Sequence, residues 1–322
     1  VSELLYPLRF KKVFIDKIWG GDALENVLGM DIPAGRKIGE SWEISAHSHG
    51  MSIVENGELA GKTLQEVLDE YKGELVGDKV YNEYKNLFPL LIKYLDVNDR
   101  LSIQVHPSDE YAMKHENELG KSESWYVIEA SDDAKLILGM KDGMTKEKFV
   151  EKAKKNDFDD MFDIKPVKKG DFIDINPGTV HASLEGSILI AEIQENSDVT
   201  YRIYDFDREE NGVKRELHID KAAEVIDFGM KVNIISGNLS GAETKKRLVE
   251  KKYYTIDKIK LDNTDMEDIN GESMIIYSIL DGTGKIKYEK GELEIKKGES
   301  ILIPVNVKVN IEGNLELLRT II

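Results

Sequence analysis

Gln104 and His106 stand two residues apart in the tract LSIQVH, residues 101–106, which Pro107 closes. Leu101, Ile103 and Val105 alternate with Ser102, Gln104 and His106, and this period of two predicts a half-buried strand. Successive side chains on a strand point to opposite faces, so Gln104 and His106 share one. An amide oxygen beside an imidazole nitrogen can begin a metal site; the competing reading of so short a pair is a polar face turned to water. Two further donors shift that balance. Glu123 opens the strand-like run ESWYVIEA, and His181 follows Asn176-Pro177-Gly178-Thr179-Val180, a turn that sets where its ring points. Two imidazoles, a carboxylate and an amide oxygen suit Zn2+ or another borderline divalent ion, with room left for water or substrate. The separations (two residues, then 17, then 58) are not local, so only a common barrel would bring the four together.

The elements that must position them are mostly strands. LFPLLIKYLDV, residues 87–97, is an apolar run fit for a buried strand, and its Lys93 must either snorkel to the surface or meet an anion. IGESWEISAH alternates before His47-Ser48-His49, which we read as a solvated loop because Gly50 follows and a third ligand is lacking nearby. Thr63 with Glu66 makes a capping box, predicting a helix over 63–71 with Leu64, Val67, Leu68 and Tyr71 on one face. Short helices are expected at 108–119, capped by Ser108, at 144–155, and within 215–229, with Asp220 as cap and Gly229 as stop. His115 and His218 are read as a surface and a structural residue. Beyond residue 230 short strands and Gly or Asn turns alternate without a histidine, as in an antiparallel barrel or sandwich. KKGDFIDINPGTV (168–180) and KKGESILIPVNVKV (296–309) share a Lys-Lys-Gly turn, an alternating strand and a Pro, the mark of a β module used twice.

Composition narrows the function classes. The chain has 322 residues, with 61 Asp plus Glu against 44 Lys plus Arg, a net charge of −17. Nucleic-acid affinity rests on neutralising phosphates with Lys and Arg, so that partner is disfavoured, whereas a locally positive pocket for a small anion is not. There are no cysteines, hence no disulfide, thiolate ligand or thiol nucleophile. No apolar run approaches a membrane span, and VSELLYPLRFKK lacks the apolar core of a signal peptide, so a cytoplasmic protein is expected.

Several tracts together carry a family resemblance. Phe88 to Lys93 (FPLLIK), Leu101 to Pro107, Lys121 to Tyr126 (KSESWY) and Pro177 to Ala182 (PGTVHA) are similar, in order, to type I phosphomannose isomerase of the cupin superfamily. Trp19-Gly20-Gly21, Gly39 to Ser45 and Arg215 to Ile219 match as well, and the likeness covers about residues 5 to 225. The length resembles the shorter bacterial members. The resemblance implies a mainly β chain of two cupin (jelly-roll) β-barrels with a few short peripheral helices. Residues 1–229 would form the metal-binding catalytic domain with helical insertions, and 230–322 a metal-free second domain. It implies one Zn2+ per chain on Gln104, His106, Glu123 and His181, and substrate contacts from Trp19, Glu40, Lys93, Lys121, Glu192 and Arg202. Two departures stand out: Ser183 where longer members carry Tyr, and the proline of the turn displaced by one.

The implied reaction is aldose–ketose isomerisation of mannose 6-phosphate and fructose 6-phosphate through a cis-enediol, in a monomer or homodimer without membrane or nucleic-acid partners. Charge develops on O1 and O2, where a Lewis-acid metal helps, and a base must reach the C2 proton. Lys121 could be that base or a phosphate ligand, Glu192 is the carboxylate alternative, and Arg202 is an enediolate stabiliser or a phosphate fork. A non-haem iron oxygenase and a non-catalytic sugar-binding cupin are the rival readings.

Overall fold

The computed structural model describes residues 5–210 and 212–322; residues 1–4, part of the tract read for a signal peptide, lie outside them. The fold is mainly β. A seven-stranded antiparallel sheet runs in the spatial order Ile234–Ser236, Asp171–Ile175, Glu123–Ala130, Ile188–Glu195, Leu90–Val97, Ile38–Ile44 and Val13–Asp16. A five-stranded sheet runs Phe162–Pro166, Lys135–Met140, His181–Glu185, Ile103–Val105 and Tyr201–Tyr204. The two are separate hydrogen-bonded sheets, so the jelly-roll is an open sandwich rather than a closed barrel. Leu95, Trp125, Val127, Leu136, Leu138, Ile173 and Ile190 form part of a buried cluster that joins them.

Period two explains how one strand serves two cores. In Ile188–Glu195, Leu189, Ala191 and Ile193 belong to a cluster shared with Ile256, Ile276, Leu302 and Leu318 of the C-terminal sheet. Ile190 joins the cluster between the two sheets, and Glu192 on the same face lines a cavity. The seven-stranded sheet is thus covered on both faces, which is why LLIKYLDV is buried at every position.

The C-terminal sheet is built from Lys245–Glu250, Thr255–Asp268, Ile275–Tyr288, Gly291–Lys296, Ser300–Ile303 and Val309–Ile321, with Leu8–Arg9 added at one edge. The two Lys-Lys-Gly turns are structural equivalents: Gly170 and Gly298 have φ of 83° and 82°, and each leads into a buried strand. Only glycine takes that backbone region without penalty.

Helices plug the periphery. Thr63 Oγ1 accepts from Glu66 N while Glu66 Oε2 accepts from Thr63 N, the expected capping box, worth about 1 kcal/mol. That helix, Leu64–Tyr71, buries Leu64, Val67 and Leu68, each contributing about 1.5–3 kcal/mol. Ser108 caps Asp109–His115, and Thr145 caps Lys146–Lys154. The last expected helix is shorter than its pattern. It spans Ile219–Val225, starts from His218 with no side-chain cap, and ends before Gly229 because Ile226 is already extended. Asp220 lies in its first turn, where its charge faces the positive end of the helix instead of capping it. Short helices at Gly73–Val76 and Asp78–Tyr84 carried no expectation.

Candidate active site

Register between the sheets brings together the four residues expected to hold a metal. Gln104 and His181 are directly paired across adjacent strands, and Glu123 heads the strand of the facing sheet that pairs with Gln194 and Ile175. His106 lies just past the strand end, where Gly178 N donates to its carbonyl at 2.9 Å. Gly178 has φ of 87°, so the displaced proline leaves the turn intact. The donor atoms of His106, Glu123 and His181 lie within 4.8 Å of one another, and all three residues are buried. His106 Nδ1 donates to the Val199 carbonyl and His181 Nδ1 to that of Thr179, each at 3.0 Å. Both Nε2 lone pairs therefore turn inward, 3.5 Å and 3.1 Å from the Glu123 carboxylate.

Three lone-pair-bearing groups aimed at one buried point repel unless a cation lies between them. His106 Nε2 and both Glu123 oxygens lack a hydrogen bond, which costs about 1–3 kcal/mol per group in a dry interior. At His106 proton uptake is disfavoured. Burial, with Lys121 nearby, holds His106 well below the usual histidine range. Burial disfavours the Glu123 anion too, but the opposing charges, the Lys121 ammonium foremost, outweigh it and keep the carboxyl well below its ordinary range. The residues therefore fit a divalent cation. Gln104 lies beside this group, its amide Nε2 3.3 Å from His181 Nε2, and a near-isosteric flip of the amide would present Oε1 instead.

Beside this group opens a polar cavity of about 280 Å³, lined by Trp19, Glu40, Lys93, Lys121, Glu192 and Arg202 among others. Lys93 meets anions rather than snorkelling. It is 3% exposed, 3.8 Å from Glu40 and 3.7 Å from Glu192, and sits 4.7 Å over the Trp42 ring. Glu192 accepts from Trp125 Nε1 at 3.0 Å, while burial and the nearby Glu123 push its carboxyl up to about 7. Lys121 lies 3.5 Å from Glu123. Burial opposes its charge, yet Glu123, Glu192, Asp198 and Glu40 together raise its pKa. Arg202, cross-strand from Gln104, donates from Nη1 to the Glu216 carbonyl at 3.0 Å and keeps Nε buried and without a partner.

Other residues reach the cavity without having been singled out for it. Asp198 and Arg215 line it, Arg215 held by the buried Asp205. His218 also lines it and clasps the Arg202 backbone: its N donates to Arg202 O at 2.7 Å and its Nδ1 accepts from Arg202 N at 3.1 Å. Arg215 and His218 belong to the RELHI tract, so that motif was their available signal. His47 is buried and meets Glu118 at 2.8 Å, so only His49 keeps the solvated character expected of both. Ser183, in place of an aromatic, is fully buried.

Comparison with known proteins identifies the family. Residues 8–163 match the family model "Phosphomannose isomerase type I, catalytic domain", and residues 244–322 match "Mannose-6-phosphate isomerase, cupin domain". The "Probable mannose-6-phosphate isomerase GmuF" of Bacillus subtilis is 39% identical over 98% of this chain and 99% of its own. The mannose-6-phosphate isomerase of Streptococcus mutans is 39% identical over 97% of each. A crystal structure of the Bacillus subtilis mannose 6-phosphate isomerase superposes with a TM-score of 0.87 at 36% identity, covering 98% of this chain and 99% of that one. Identity of this order over nearly full length, on the same two-part fold, means that the chain belongs to the type I mannose-6-phosphate isomerase family.

Proposed function

We propose that this chain interconverts mannose 6-phosphate and fructose 6-phosphate, with one zinc ion held by Gln104, His106, Glu123 and His181. The observation that carries this reading is the inward convergence of two imidazole lone pairs on a buried carboxylate, at the wall of a cavity rich in lysine and arginine. Bound there, the ion would act as a Lewis acid toward the negative charge that develops on O1 and O2 of the sugar.

The chain's own residues supply the rest. Glu192, its Oε1 held by Trp125 and its Oε2 facing Lys93 at 3.7 Å, is the carboxylate to take the proton from C2 and return it to C1. Lys121 and Lys93, set among carboxylates, serve as fixed positive charge rather than as bases. Arg202 has an unpartnered Nε with which to receive an oxyanion, either of the enediolate or of the phosphate. Trp19 and Glu40 also line the cavity, and the Trp42 indole fixes Glu40 at 2.7 Å. We also take the catalytic unit to run past the expected boundary at residue 229, because the short strand Ile234–Ser236 pairs with Asp171–Ile175 of the seven-stranded sheet before the second unit begins.

The test is a linked-enzyme assay of mannose 6-phosphate to fructose 6-phosphate conversion, before and after chelation and with zinc restored. Turnover that survives complete metal removal would overturn the metal assignment. Absence of turnover with either sugar in the zinc-loaded protein would overturn the reaction.

A further inference from the structure

The hairpin tip Lys251–Tyr254 joins strands Lys245–Glu250 and Thr255–Asp268 of the C-terminal sheet, and it presses against the back of the strands that carry Glu123 and Glu192. Trp125 and Val127 pack inside the jelly-roll with Glu123 on the same face; Ser124 faces the hairpin and Tyr126 the C-terminal sheet beside it, where Lys258 Nζ donates to its hydroxyl. Tyr254, 1% exposed, places its hydroxyl 3.1 Å from Ser124 Oγ and 3.1 Å from the Ile193 carbonyl. Ser124 Oγ donates to Asp174 Oδ1 at 2.8 Å, and Lys251 Nζ donates to the same oxygen. Lys251 also approaches the Glu123 carbonyl at 3.4 Å and lies 4.6 Å over the Tyr254 ring. Lys252 reaches Asp109, whose other oxygen accepts from Gly120 N, immediately before Lys121.

One short turn of the second module thereby grips three adjacent strands (Asp171–Ile175, Glu123–Ala130 and Ile188–Glu195) at the residues flanking Glu123 and Glu192. Packing alone would not require this chemistry. A phenol has been buried and an ammonium half-buried where aliphatic side chains would cover the sheet at lower desolvation cost, and both point at the strand end that carries Glu123. We infer that Tyr254 and Lys251 are positioning residues that hold the Glu123 carboxylate at its place in the metal set from across the module boundary. This gives the histidine-free C-terminal module a direct part in the site. The inference rests on the metal reading proposed above.

The test uses the full chain and zinc alone, read by competition with a chromogenic chelator, with melting temperature measured in parallel. Tyr254→Phe and Lys251→Met should each weaken zinc binding by about tenfold, the lower end of the effect of losing an outer support of a metal ligand. Lys251→Arg should recover most of the loss. Tyr277→Phe is the matched control, because it removes an equally buried phenol hydroxyl, bonded to Asp268, from the same module but away from the strand of Glu123. It should lower the melting temperature while leaving zinc affinity within about twofold. Unchanged affinity in Tyr254→Phe and Lys251→Met, or an equal loss in Tyr277→Phe, would overturn the inference alone. A parent chain that takes up no zinc would overturn both it and the metal reading.

Discussion

Replacing His181 with alanine removes one of the two inward-facing imidazoles and should uncouple the protein's stability from zinc. A ligand that binds only the folded chain stabilises it by about 4 kcal/mol when present at a thousand times its dissociation constant. Unfolding entropy of about 2 cal/mol/K per residue amounts to about 0.7 kcal/mol/K over a chain of this length, so zinc should raise the melting temperature by about 6 °C. His181 is fully buried, and its Nε2 lies 3.1 Å from Glu123. Its loss should cost at least the roughly hundredfold affinity that outer-shell substitutions can reach. At the same free zinc the response then falls to about 2 °C or less. His49→Ala, on an exposed ring paired with Asp198, should keep the full response. The assay is thermal unfolding at fixed free zinc, buffered by a chelator, with metal content measured on the same samples. A His181 variant that retains zinc and the full thermal response would refute the assignment, and so would a parent chain whose melting point ignores chelation.

Three further outcomes follow from particular residues. Arg202→Ala should lower kcat by about a hundredfold or more, the scale of losing one donor to a developing oxyanion, in a protein that still binds zinc; near-normal turnover would remove Arg202 from the chemistry. Burial, with Asp109 nearby, pushes Glu195 up to about 9, so the folded state favours its protonated form. The stability this contributes is complete below the ordinary carboxyl range and drains away as pH rises through about 9. Glu195→Gln should accordingly flatten the melting-temperature profile toward alkaline pH and exceed the parent there; parallel curves would contradict the linkage. Gly178→Ala places a Cβ 2.9 Å from the Val225 carbonyl at φ of 87°. It should lower the melting temperature by about 2–3 °C, for a cost of about 1–2 kcal/mol, and loosen the turn that leads to His181; an unchanged melting point would deny that strain.

Much of this protein was legible along the chain because its signals are local. The strand ESWYVIEA, the Thr63/Glu66 box and the paired Lys-Lys-Gly turns each depend on a few neighbouring residues and appear where expected, whereas in LSIQVH only Ile103–Val105 is strand, and the tract, covered on both faces, is not half-exposed. The shortened helix at 219–225 was misjudged because its stop lies in the backbone of Ile226, which leaves for an extended path, and not in a residue type. Arg215 and His218 were passed over as cavity residues for a related reason. The fold of the loop after Tyr201–Tyr204 brings them back against Arg202, and no periodicity records that return.

The available donor chemistry was set by residue identity alone: without cysteine, any cation held by the proposed set would be bound through nitrogen and oxygen only. Tertiary structure decided the direction of each lone pair, since the carbonyls of Val199 and Thr179 choose the histidine tautomers from distant or turned backbone. It decided the environment of Lys93, whose buried charge depends on Glu40 and Glu192 from two neighbouring strands. It also brought Tyr254 and Lys251 behind Glu123, more than a hundred residues away. Register and sheet-on-sheet packing are sums over the whole chain, so contacts of this kind exist only once the chain has folded.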